Sequence, residues 1–249
     1  MVIGAQFYTV RSMTQTTEGL ADALKKVADI GYRTVQLSAT CPYDAEWMKN
    51  QLAMNGLRCV LTHTPVPRLT GELDQVIAEH SVFGCDRIGL GWYSFDEEKG
   101  DTYEKFMETF SPVARKIRES GKLFMYHNHD QEFKKYEGKL ILERLMEAVP
   151  AEEMGFTLDT FWVQAGGGDP AQWLEKLAGR VPVIHLKDYA YGRQMAVVGE
   201  GNINFGRVFE KAEASGTQYM LVEQDDCHGE DPFDCLRRSY QYLRSWGFQ

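Results

Sequence analysis

Cysteine is scarce and lacks any pairing pattern. The five cysteines, Cys41, Cys59, Cys85, Cys227 and Cys235, are an odd number with irregular spacing and no CxxC pair. That spacing argues against a thiolate zinc site and a disulfide framework, and a reduced cytoplasmic setting is expected. No apolar run approaches the ~18 residues that a membrane helix needs. No basic stretch followed by a longer apolar one appears near Met1, so neither a membrane partner nor a signal peptide is expected. Positive charge is in short supply. Lys and Arg number 27 against 36 Asp and Glu, a formal net charge of -9. A negative body does not attract polyanions, so no nucleic-acid partner is expected. Nucleotide signatures are missing too. There is no GxxxxGK[ST] phosphate loop, and Gly199-Glu200-Gly201 is too short and misplaced for a dinucleotide fingerprint.

What is present is an alternation of two textures. Short apolar runs rich in β-branched residues lie at 2–7, 33–38, 58–62, 86–90, 122–127, 154–159, 182–187 and 219–223. Amphipathic stretches fall between them, near 17–30, 44–55, 70–83, 101–120, 138–148, 170–178, 205–215 and 231–246. Continuous apolar strands alternating with helices predict a parallel sheet covered by helices. Eight units in 249 residues predict one (β/α)8 barrel, a single domain over 1–249, with an open doubly wound sheet as the alternative. Gly31, Gly56, Gly84, Gly121 and Gly216 each close a helical stretch. Asp169 before Pro170, together with Asp44 and Thr70, supplies expected N-caps. Two long segments, 128–137 and 189–204, follow strands five and seven. They lie at the face where barrel active sites are built.

The polar residues that matter sit at strand ends. Asp159 closes Gly155-Phe156-Thr157-Leu158-Asp159, His185 lies late in Val183-Ile184-His185-Leu186, and Glu223 closes Tyr219-Met220-Leu221-Val222-Glu223. A core strand gains nothing from burying an unpaired charge. Three consecutive strands ending this way converge on one rim, and the donor set suits Mn²⁺, Zn²⁺, Mg²⁺ or Co²⁺. Strand five runs into Tyr126-His127-Asn128-His129-Asp130-Gln131-Glu132-Phe133. His127 and His129 alternate with Asn128 and share a side of an extended chain. A fourth ligand, a general base or a substrate clamp can come from this segment. Glu132 is the expected fourth ligand, because hard cations favour carboxylates. Glu223, His127 and His129 are the candidates for moving protons. Lys187 shares a side with His185 and is a candidate to hold a substrate hydroxyl or developing oxyanion. His63, Trp92, Trp162, Asp188 and Glu200 are candidate substrate contacts on the same face, the two tryptophans as stacking surfaces for a sugar ring. His80, on a helix, is expected to be a packing or surface residue, and no role is assigned to His228.

Taken together, the Gln6-Phe7-Tyr8-Thr9-Val10-Arg11 opening, Gly31-Tyr32-Arg33-Thr34-Val35-Gln36, Tyr126–Phe133, His185-Leu186-Lys187-Asp188 and Gly199-Glu200-Gly201 resemble the xylose isomerase-like sugar isomerase and epimerase barrels. The resemblance runs from the first strand to the last. It implies one bound divalent metal, most often manganese, with Asp159, His185 and Glu223 as three of its ligands. It departs from the epimerase pattern on strand five, where Met125, Tyr126 and His127 stand in place of a glutamate, and on strand two, where Gln36 does. The resemblance implies an isomerase or epimerase that acts on a small sugar or keto-sugar through an enediolate. Inosose dehydratase-like relatives supply the alternative, a lyase or dehydratase. A metal-dependent endonuclease of the AP-endonuclease type is disfavoured by the acidic charge, and a non-catalytic barrel is the last alternative. A homo-oligomer is compatible with all of these.

Overall fold

The computed structural model describes residues 1–249. Eight strands form the barrel wall: β1 (Val2–Gln6), β2 (Thr34–Leu37), β3 (Arg58–His63), β4 (Arg87–Leu90), β5 (Leu123–His127), β6 (Met154–Asp159), β7 (Val183–Leu186) and β8 (Tyr219–Val222). Each pairs with its neighbours in parallel, and β8 returns to β1 with Val2 opposite Tyr219, closing a (β/α)8 barrel. The helices outside it are α1 (Thr17–Ile30), α2 (Ala45–Met54), α3 (Val66–Gly71), α4 (Leu73–Val82), α5 (Tyr103–Glu119), α6 (Ile141–Ala148), α7 (Thr160–Ala165), α8 (Pro170–Lys176), α9 (Phe205–Ala214) and α10 (Pro232–Ser245). None is long and apolar enough to cross a membrane. The strands begin and end within one residue of the positions their apolar runs predict.

The helical layer departs from expectation in two places. The stretch predicted over 70–83 is two helices that meet at Glu72, whose backbone leaves helical geometry at φ -130° and ψ 26°. Thr70 is therefore no cap: it lies inside α3 and its hydroxyl donates to the carbonyl of Val66. Pro65 starts that helix instead, since proline belongs where no amide donor is required. The short α7 was not expected, and it begins where Asp159 ends β6. Asp44 and Asp169 cap as expected, accepting from the amides of Trp47 and Ala171.

Two apolar layers hold the barrel. The larger lies between strands and helices and includes Phe7, Tyr32, Phe110, Phe124 and Phe156. The smaller fills the barrel's interior with Val60, Leu61, Met125, Val183, Tyr219 and Leu221. Side chains alternate along a strand, so the inward positions can be followed one by one. On β5 they run Leu123, Met125, His127; on β7, Val183, His185; on β8, Tyr219, Leu221, then Glu223 just past the strand's end. Each inward row is apolar at the bottom and turns polar at the C-terminal rim. Gly155 keeps the interior open on β6, since a Cβ there would come within 2.8 Å of Met125 Sδ. Above it the same row ends in Thr157 and Asp159. The barrel thus places a polar ring on an apolar plug.

Candidate functional site

At that ring, His127, Asp159, His185 and Glu223 are all buried, with one donor atom from each lying within 4.8 Å of the others. The register brings them there: Asp159 sits opposite His185 on β6 and β7, and His185 opposite Leu221, two residues before Glu223.

Each side chain is fixed from behind. His127 Nδ1 lies 2.9 Å from the carbonyl oxygen of Gly91. A carbonyl only accepts, so Nδ1 carries a proton and Nε2 is the nitrogen turned toward the cluster, 3.2 Å from Asp159 Oδ2. His185 Nε2 donates to Gln36 Oε1 at 2.6 Å, which turns Nδ1 toward the cluster; burial opposes charge on this ring, but Glu223 and Asp159 overcome it and raise its pKa above the ordinary imidazole value. Glu223 Oε1 accepts from Gln6 Nε2 at 2.5 Å. Asp159 Oδ1 accepts from the Trp162 amide at 3.0 Å, so it caps α7 while Oδ2 faces inward. Asn128, pointing away from the two histidines beside it, accepts the amide of Asp159 at 3.0 Å.

The inward atoms are short of partners. His185 Nδ1 and Glu223 Oε2 are 2.9 Å apart, yet neither makes a hydrogen bond of acceptable geometry. Two buried atoms that meet without bonding are directed at common space. Charge points the same way. Lys187 Nζ lies 3.1 Å from Asp159, 2.9 Å from Glu223 and 2.9 Å from Asp225. Three carboxylates outnumber the one ammonium, an excess that is costly in a buried site unless it is balanced. Burial works to raise the carboxyls of Asp159 and Glu223, but Lys187 and the histidines outweigh it and hold both well below the ordinary carboxylate range. Burial likewise opposes the charge on Lys187, and the three carboxylates overcome it and keep the ammonium protonated. Two imidazole nitrogens and two inward carboxylate oxygens turned to common space, with carboxylates in excess over the ammonium, fit a divalent cation, which would take the place of the protons there. Gly91 and Gln36 act as the outer partners that fix ligand tautomers in such sites.

A pocket of about 700 Å³ opens above the cluster. His63, Trp92, Trp162, His129, Lys187 and Asp225 line it. The His129 ring lies 4.7 Å from that of His127 and 5.0 Å from Trp162. Burial, with His127 and Lys187 adding to it, holds His129 well below the usual imidazole value. His63, whose Nδ1 is 3.3 Å from Ser38 Oγ, is depressed in the same way by burial and by His127 and His185. Both imidazoles are neutral at pH 7 and able to accept a proton.

Three candidates lie elsewhere. Glu132 does not reach the cluster. One of its oxygens accepts from the Tyr126 hydroxyl, the other from the His129 amide at 2.7 Å. A 3-10 turn over Gln131–Phe133 folds it back beneath the loop, and His127 stands in the position expected of it. Asp188 does not line the pocket either. Its carboxylate gathers the amides of Tyr189, Gly199, Gly201 and Ile203 at 2.8–3.2 Å and so pins the long loop after β7. Gly201 is required there, because a Cβ would lie 2.4 Å from Asp188 Oδ1. Glu200 is exposed and pairs with Arg238 at 2.9 Å, away from the pocket. His80, buried, bonds Val76 O and Thr62 Oγ1, a packing role as expected. Sequence reasoning overlooks Gln6 and Asp225 and sees Gln36 only as a departure from the family pattern; the two glutamines orient two ring members, and Asp225 faces Lys187. Position was the available signal: both glutamines occupy rim positions of their strands, and Asp225 lies two residues past Glu223.

The chain belongs to the xylose isomerase-like TIM barrel family, whose sequence model matches residues 24–246. Several solved structures superpose on nearly all of it. A sugar phosphate isomerase/epimerase from Parabacteroides distasonis ATCC 8503 does so with TM-score 0.84 at 23% identity, covering 98% of this chain and 93% of that one. An L-ribulose 3-epimerase gives TM-score 0.77 at 15% identity, with 98% and 94% covered. The probable 3-DHS dehydratase AsbF of Bacillus anthracis gives 0.75 at 13%, with 98% and 99% covered. At these identities the likeness establishes the fold. No curated protein sequence matches the chain significantly.

Proposed function

We propose that this protein is a divalent-metal-dependent isomerase or epimerase that removes a proton beside the carbonyl of a small sugar. The observation that carries this reading is the buried group of His127, Asp159, His185 and Glu223, donor atoms turned together and carboxylates in excess over Lys187, at the floor of a pocket. Manganese suits the mixed imidazole and carboxylate donors, and zinc, magnesium or cobalt share that chemistry. A divalent ion held there supplies an electrophile that polarises the carbonyl oxygen and stabilises negative charge as the adjacent carbon is deprotonated.

The chain's own groups perform the proton transfers. His129 is neutral, lines the pocket beside the ligand His127 and is free to take the substrate proton. Lys187, charged and aimed at the same floor, stabilises the developing oxyanion. Trp162, packed against His129, offers a flat apolar face that holds the ring while excluding water. Return of a proton to the same enediolate at the neighbouring carbon isomerises the sugar; return to the opposite face epimerises it. Asp225, a carboxylate across the Lys187 ammonium, is the group placed to make that return once it has drawn a proton from solvent.

A lyase or dehydratase is the second reading. It is favoured by one observation, a second imidazole, His63, that lines the same pocket and, once it has taken up the proton removed from carbon, can pass it to a departing β-oxygen. The two separate in D₂O. Manganese-loaded protein that exchanges a substrate C–H for deuterium with no change in the sugar's formula supports the isomerase. Loss of water by mass, or a new enone absorbance, supports the lyase. A label untouched across a panel of aldoses and ketoses counts against both.

A further inference from the structure

The pocket is larger than one sugar ring fills, and carboxylates outnumber cations in its lining. Its volume of about 700 Å³ falls in the upper part of the roughly 300–1,000 Å³ range of small-ligand pockets. Trp162, His129 and Lys187 cluster at the floor, within reach of one ring. Trp92 stands apart from them at the rim, 53% exposed, with Val66, 38% exposed, on the neighbouring segment. A second cleft of about 370 Å³ shares Ser38, Ala39, His63, Thr64 and Pro65 with the pocket, so open space continues outward past the ends of β2 and β3. Two tryptophans at two depths form two platforms, and the outer one has no partner in the chain.

The charges that line the pocket weigh against a phosphorylated ligand. Lys187 is the one cation that lines the pocket, and three carboxylates already hold it. Arg11, beside the mouth, donates to the carbonyl oxygens of Tyr8 and Asp225 at 2.8 and 3.0 Å. Arg68, in the adjoining cleft, is held by Glu72 and Glu79 at 2.9 and 3.0 Å. Arg193 pairs with Asp130. A phosphate carrying about two negative charges would meet Glu223 and Asp225 at the floor, and Arg11 at the mouth is the one guanidinium near it without a carboxylate partner.

We infer that the substrate is a neutral glycoside. Its reacting ring lies at the floor against Trp162, and a second sugar ring, joined by a glycosidic bond, stacks its C–H face on Trp92. The hydroxyls of Ser38 and Thr64 line the path between the two rings. This inference rests on the sugar-directed reading of the floor and adds the size and charge of the substrate.

Binding to the manganese-loaded protein tests it, with tryptophan fluorescence or calorimetry as the readout. The probes are glucose, galactose, glucose 6-phosphate, maltose, cellobiose and lactose. At least one disaccharide is expected to bind about tenfold tighter than either hexose, and glucose 6-phosphate no tighter than glucose. Trp92→Ala should bring the ratio of disaccharide to hexose affinity close to one, with manganese per chain unaltered. Hexoses binding as tightly as every disaccharide, or glucose 6-phosphate binding tightest, overturns the inference and leaves the sugar reading standing. Retention of manganese with no sugar bound overturns both.

Discussion

Gln36→Leu removes a side chain that touches no substrate and alters the candidate metal centre through one bond. Gln36 is fully buried, and its Oε1 accepts from His185 Nε2 at 2.6 Å. That bond keeps a proton on Nε2 and so makes Nδ1, facing Asp159 and Glu223, the nitrogen a metal ion would take. Leucine fills similar space and accepts nothing. In the variant, His185 keeps its tautomer only by burying an unpaired N–H, at a cost of about 1–3 kcal/mol. Otherwise it moves the proton to Nδ1, where it blocks the centre and bonds Glu223 Oε2. Either way the ligand set is weakened, and outer partners of metal-bound histidines are worth about 10–100-fold in affinity, or roughly 1.4–2.7 kcal/mol. Calorimetric titration of metal-free protein with Mn²⁺ measures this directly. Gln36→Glu, which keeps an acceptor and adds charge, should bind at least as tightly as the parent. Equal affinity of Gln36→Leu and the parent, within a factor of two, refutes the argument that this bond selects the tautomer.

Other perturbations read different parts of the structure. Burial raises the Glu132 carboxyl from the ordinary 4.5 to about 7. Because the folded state holds this proton more tightly than the unfolded chain, its stability is fully present below pH 4.5 and declines as pH rises toward 7, by on the order of 3 kcal/mol. Urea denaturation at pH 5 and pH 8 should therefore show Glu132→Gln gaining stability on the parent at the higher pH, and a constant difference would contradict the cause assigned. Lys187→Met leaves Asp159, Glu223 and Asp225 without their counter-charge, so the metal-free variant should lose about 3–5 kcal/mol and gain more in Tm from added Mn²⁺ than the parent does. Asp188→Ala releases four backbone amides, and limited proteolysis should cut within 189–204 in the variant while sparing the parent; equal resistance would remove the anchoring role.

Much of the fold is legible in the sequence because the barrel strands are buried on both faces and read as continuous apolar runs. Asp159, His185 and Glu223 stand out for a related reason: a charge that closes such a run is hard to explain by packing. The remainder of the site depends on geometry that composition does not display. The preference of hard cations for carboxylates points to Glu132, but register decides otherwise. His127 continues the inward alternation of β5, whereas Glu132 lies past the strand's end, where a tight turn redirects it. Gln6 and Gln36 carry no charge and stand out only once β1 and β2 are seen to close against β8 and β7 across the rim. Asp188 follows a strand as a ligand would, and its partners are backbone amides up to fifteen residues away. The turn at Glu72 that splits one amphipathic stretch into α3 and α4 leaves the apolar pattern unbroken, so periodicity runs through it.

The most direct test of the proposed centre is manganese content per chain, measured by elemental analysis after loading and dialysis. The parent should retain one ion per chain, and so should Glu132→Gln. His127→Ala and Asp159→Asn should lose most of it while remaining folded by circular dichroism. Full retention in His127→Ala together with loss in Glu132→Gln would contradict the account.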